Sequence, residues 1–177
     1  MHFFAIPKIR RLAVILAGFA FFPPAVLSDD FDNEFDEKPR TEIEVQLPPF
    51  PEKENLIPFE VGAVRNQQFF IDGHSISVGS DEVIRYTLVV IGSGGAQNIT
   101  FEGMRCTTGE FRVYAFGRSD KTWSRARNDK WGKIPPGSNR VHANLFSDYF
   151  CSVGERAIFS PDDARNALRY SRSTTFR

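Results

Sequence analysis

From Val83 to Gly117 apolar and polar positions alternate in three runs divided by short turns. VIRYTLVVI (83–91) puts Ile84, Tyr86, Leu88 and Val90 on one face, and Val83, Arg85, Thr87, Val89 and Ile91 on the other. GSGGA (92–96) turns the chain, QNITFEGMRC (97–106) continues it, Thr107-Thr108-Gly109 turns again, and EFRVYAFG (110–117) closes the set. Period two with short turns predicts a three-stranded antiparallel meander with one face packed and one solvated. Upstream, EIEVQL (42–47) alternates and predicts a strand. PPFPEKENLIP (48–58), with its four prolines, predicts a loop, and FEVGAV (59–64) a short strand. QQFFI (67–71) and HSISV (74–78) flank Asp72-Gly73, which predicts a tight hairpin turn, and Gly79-Ser80-Asp81 predicts another.

The period changes after Gly137. With Ser138 as N-cap, NRVHANLFSDYF (139–150) gathers Val141, His142, Leu145, Phe146, Tyr149 and Phe150 on one half of a helical wheel. Arg140, Asn144, Ser147 and Asp148 fall on the other half. Ser160-Pro161-Asp162-Asp163 is a second start signal: a cap, proline in the first turn, then acids. It predicts a short helix with Arg165, Arg169 and Arg172 towards its negative end, before a frayed tail at 172–177. The fold class expected is α+β: an antiparallel sheet with a meander core, one amphipathic helix on it, and a short C-terminal helix.

The N-terminus reads as an address. Lys8, Arg10 and Arg11 precede LAVILAGFAFF (12–22), and a short exit leads to Ser28. A basic start, a short apolar middle and a small-residue exit predict a cleaved secretory signal over 1–28. The apolar run spans roughly 17 Å against about 30 Å of bilayer hydrocarbon, too short for an anchor. Residues 29–41 form an acidic linker, followed by a single domain over 42–171. DDFDNEFDE (29–37) holds six acids, but a calcium loop needs Gly and Glu where Phe35 and Thr41 stand. The total charge is zero, yet 105–177 carries 14 basic and 7 acidic residues against 5 and 9 in 38–104. The two cysteines, Cys106 and Cys151, both lie in the exported part, so a single disulfide with forced connectivity is expected, tying the helix to the meander.

FFIDGHSISVGSDEVIRYTLVVIGSGGAQNITFEGMRC, then Trp123 and Trp131 with IPPGS, then a helix closing on Cys151, give the chain a recognisable look. From Thr41 to about Leu168 it resembles the cryptic neisserial protein 1-like family. That resemblance implies an exported protein of the Gram-negative envelope, periplasmic or secreted, with no assigned activity. More loosely, 69–151 is similar to the surface-adhesin E fold, which implies binding of extracellular proteins. Neither resemblance supplies catalytic residues.

Several tempting motifs reduce to structure. Asp72, His74 and Ser75 mimic a triad, but neighbours in an extended chain point to opposite faces. GSGG (92–95) is followed by a strand, whereas a phosphate-cradling loop opens a helix. His142 falls in an apolar arc and reads as packed. Two histidines after the signal give no metal-ligand set, and no metal or cofactor is expected. The expectation is a non-catalytic binding module; the alternatives are a hydrolase or isomerase using Asp72, Asp81 and Glu102, and a purely structural envelope protein. The candidate partner-binding residues are Arg118, Lys121, Trp123, Arg125, Arg127 and Lys130, where bases interleave with tryptophan. Export removes nucleic acid as their partner and leaves an anionic envelope or extracellular macromolecule. The alternative is that both tryptophans pack inward and the bases are merely solvated.

Overall fold

The structure, a computed structural model, describes residues 41–137, 140–151 and 158–170. The chain divides into units 1–37 and 38–177, and every described residue belongs to the second. The expected signal, most of the linker, Ser138 and the tail therefore lie outside the described residues.

Strands β1 (Leu56–Phe59), β2 (Gln67–Val78), β3 (Val83–Gly92), β4 (Gln97–Arg105), β5 (Glu110–Gly117) and β6 (Trp123–Arg125) follow one another across an antiparallel sheet in chain order. β7 (Gly132–Lys133) pairs with β5 near its start, on the side where β6 pairs with its end. The meander from β3 to β5 forms as its alternation predicts, with Gly95 and Gly109 at positive φ in the two turns. The sheet is larger than that pattern suggested because the flanking segments join it.

Three local readings change. Asp72-Gly73 does not reverse the chain. β2 runs straight through it, and the register jumps from Asp72↔Thr87 to Ser77↔Arg85, so the four β2 residues between these pairs face only Tyr86 of β3. This bulge is held by its own side chains: Asp72 Oδ1 accepts from His74 N at 3.0 Å, and Ser75 Oγ donates to Asp72 O at 2.8 Å. The same Oγ accepts from Thr87 N at 2.7 Å, standing in for the lost ladder bond. Second, the strand expected at 59–64 lies earlier, at Leu56–Phe59, and Gly62 at φ 46° turns the chain beyond it. Third, 42–47 is not a strand. Residues 41–50 form a strap across the sheet, tied by side chains and by Ile43 N donating to Asp81 Oδ2 at 3.1 Å.

The strap fills the face that the alternation left to solvent. Val45, Leu47 and Trp123 pack on Phe101, Tyr114 and Ala115, and Phe50 lies 5.4 Å from Trp123. Trp123 Nε1 donates to Pro48 O at 2.9 Å. The opposite face carries the main core, where Ile71, Ile84, Tyr86, Leu88 and Met104 meet the helices.

Helix α1 (Val141–Asn144) starts after Arg140 and continues as a π-helical segment, Leu145–Phe150. Leu145, Tyr149 and Phe150 are buried as expected, with Phe150 against Tyr86 and Tyr149 against Phe59. Asn144, expected outside, is buried too. Cys151 N bonds back five residues to Phe146 O, and the wider winding shifts the buried arc. Helix α2 (Pro161–Tyr170) has its expected cap: Asp163 N donates to Ser160 Oγ, which donates to Asp163 Oδ2. Ala164 and Leu168 join the core. The disulfide Cys106–Cys151 ties the end of the π segment to the residue after β4.

Candidate functional site

The densest polar constellation is built around a residue that sequence reading passed over. Arg85, Gly103 and Arg112 stand in one register row across β3, β4 and β5. Gly103 has no side chain, so the Tyr114 ring lies over it and the two guanidinium groups flank a hollow. The strap places Glu42 there. Its Oε2 accepts from Arg112 Nη1 at 2.6 Å and Trp131 Nε1 at 3.0 Å, while its Oε1 accepts from the Tyr114 hydroxyl and lies 3.5 Å from Arg85 Nη2. Arg85 also grips Asp81 Oδ2 at 2.6 Å, and Arg105 stacks over the Trp131 ring at 4.0 Å. Burial pushes the Glu42 carboxyl up, but Tyr114, Trp131, Arg112 and Arg85 together outweigh it and hold it below its ordinary value. Asp81 is likewise pushed up by burial and held below its ordinary value overall by Arg85, Ile43 N and Val83 N. Each charge in this clasp faces an opposite one. It closes the strap, while the Nε groups of Arg85 and Arg112 stay buried without a hydrogen-bond partner among the described residues.

The carboxylates considered for chemistry are dispersed. Asp81 belongs to the clasp. Glu102, 2% exposed, accepts from Thr100 Oγ1 at 2.6 Å and pairs with His142 Nε2 at 2.8 Å. His142 stacks on Phe111, with ring centroids 3.9 Å apart, so it is packed as expected and also joins the helix to the sheet. Asp72 sits inside the bulge, where burial raises its carboxyl despite the His74 amide. Ser75 Oγ is spent on two backbone partners, which removes it as a nucleophile. Among the described residues, clefts of about 610, 300 and 510 Å3 open on the surface, and none of these is lined by two of Asp72, Asp81 and Glu102. Among the described residues no group of three His, Cys, Asp or Glu side chains could hold a metal ion, and no helix is long and apolar enough to cross a membrane.

The basic segment splits into two clusters around β6. Arg118 and Lys121 form the β5–β6 turn, with Lys121 at φ 61°. Arg125 ends β6, and Ala126 N adds one more bond to Tyr114 O before the chain loops out through Arg127 and Lys130 to β7. All five bases are exposed. Both tryptophans are half-buried, Trp123 under the strap and Trp131 against Glu42, so neither offers a free stacking face. Asp129 pairs with Arg112 at 2.8 Å. Arg118 touches Ser124 Oγ at 3.3 Å, while the side chains of Lys121, Arg125, Arg127 and Lys130 make no hydrogen bond or ion pair among the described residues.

A single-disulfide, two-helix α+β domain on an antiparallel meander is thus the class defined by the fold. The sequence profile of the CNP1-like family matches residues 35–169, and the chain belongs to that family. No curated protein and no solved structure matches, and the expected likeness of 69–151 to the surface-adhesin E fold is not shown.

Proposed function

We propose that this protein is an exported, non-catalytic binding module whose partner is an anionic macromolecule of the envelope or extracellular space. The observation that carries the reading is a contrast. The buried acids and the tryptophans are committed to internal partners, whereas Lys121, Arg125, Arg127 and Lys130 project from one sheet edge without partners among the described residues. Unneutralised cations on a rigid edge attract anionic surfaces and speed encounter. The basic start and short apolar run of residues 1–28 support export. The two tryptophans serve the reading as anchors: they hold the excursion to β5 and the strap, so its bases keep a fixed spacing.

The test is a pull-down from envelope extract with the purified protein and with the Arg125→Ala/Arg127→Ala/Lys130→Ala variant. The proposal expects the captured anionic component to be lost from the variant while its melting temperature stays unchanged. Equal capture by both proteins would remove the basic edge from the account.

A further inference from the structure

The cleft of about 610 Å3 opens at the other end of the sheet, between β1, the bulge of β2 and α2. Its walls bring together three basic side chains from two elements: His74 on the bulge, and Arg165 and Arg169 one turn apart on α2. Arg165 is fixed in place. Its Nη1 donates to Gly73 O at 2.9 Å, and its Nε and Nη2 donate to Asp162 Oδ1 at 3.2 and 2.8 Å. Three of the five guanidinium N–H groups are thereby used and two remain. The side chains of His74 and Arg169 make no hydrogen bond or ion pair among the described residues. Leu56, Ile57 and Pro58 supply an apolar wall, and Asn55 and Glu54 complete the rim.

We infer that this cleft binds a small phosphorylated polyol, its phosphate held by His74, Arg165 and Arg169. A planar carboxylate is satisfied by one guanidinium fork, whereas a tetrahedral dianion takes donors from several directions, as these residues supply. A cleft of this size with an apolar wall and a few convergent polar groups suits a ligand of sugar dimensions. Glu54 opposes a second anion but accepts a hydroxyl, which assigns it to the polyol body. The bulge makes the site: a hairpin at Asp72-Gly73 would carry His74 away from α2, and Gly73 O would not reach Arg165.

This site is independent of the basic edge, and one titration separates the two. Glucose 6-phosphate, inorganic phosphate, glucose and acetate are titrated into the full chain and followed by amide NMR shifts. Saturable shifts at Asn55, Gly73, His74 and Arg169 are expected, with glucose 6-phosphate tightest and glucose and acetate weakest. Arg169→Ala and His74→Ala, both exposed, should each weaken binding about tenfold without changing the melting temperature. The Lys121→Ala/Arg125→Ala/Arg127→Ala/Lys130→Ala variant should bind as the parent does. Acetate binding as tightly as phosphate, unchanged affinity in Arg169→Ala, or shifts confined to 118–133 would each overturn the inference.

Discussion

Glu42 and Gly103 show how much a single position decides here. A Cβ on Gly103 would lie 2.9 Å from Tyr114 Cε2 and within clashing reach of its hydroxyl. Gly103→Ala should therefore displace Tyr114 and cost about 1–3 kcal/mol, read by urea denaturation, whereas Gly94→Ala meets open space and should cost far less. Glu42→Gln keeps the shape of the clasp and removes its charge, and about 1–3 kcal/mol should be lost at pH 7. The pH dependence has a definite sign. Glu42 and Asp81 have folded values below their ordinary ones, so their contribution is complete above the ordinary carboxyl range and fades as pH falls through the depressed folded values. The gap between the parent and Glu42→Gln should narrow once pH drops below about 4.5. A gap that widened in acid would contradict the clasp. None of this was legible along the chain, because Glu42 meets Tyr114 across 72 residues and the row exists only once the register is set.

At the scale of elements, the strands that read clearly are those in which local chemistry and pattern agree. β3, β4 and β5 alternate, and the glycines between them take the positive φ that their turns require. The misread elements share a physical reason. Asp-Gly ordinarily makes a hairpin, but here Asp72 and Ser75 satisfy the amides of a bulge, and the long strand pairs with β3 on both sides of it. Alternation at 42–47 is equally served by a segment that lies on the sheet through its side chains. The π winding of 145–150 moved Asn144 inward, a shift that a fixed hundred-degree wheel misses. The bulge also carries a prediction. Burial raises the Asp72 carboxyl, so its ionisation opposes folding: its favourable contribution is present below the ordinary value of 3.8 and is lost as pH rises through the folded value. Asp72→Asn, which keeps an oxygen for the His74 amide, should be more stable than the parent at pH 7, and the gain should shrink as pH approaches 3.8.

For the whole molecule, the composition already contained the covalent tie: two cysteines have one way to pair within the chain, and they do. They lie 45 residues apart, and chain entropy gives such a loop about 4 kcal/mol as an upper figure, so Cys106→Ser/Cys151→Ser should lower stability by about 2–4 kcal/mol in urea. The candidate site was legible only as a run of bases. Sequence named Arg118, Lys121, Trp123, Arg125, Arg127 and Lys130, and folding sorts them into exposed cations and one tryptophan that anchors the strap. Family membership leaves the activity open, so the charged edge carries the account. Its most direct test is the affinity of the purified protein for lipopolysaccharide across a salt series, beside the variant lacking Lys121, Arg125, Arg127 and Lys130. Saturable binding that weakens with salt, and that the variant loses, is the predicted result. Binding that ignores salt, or a variant that binds as tightly as the parent, would contradict it.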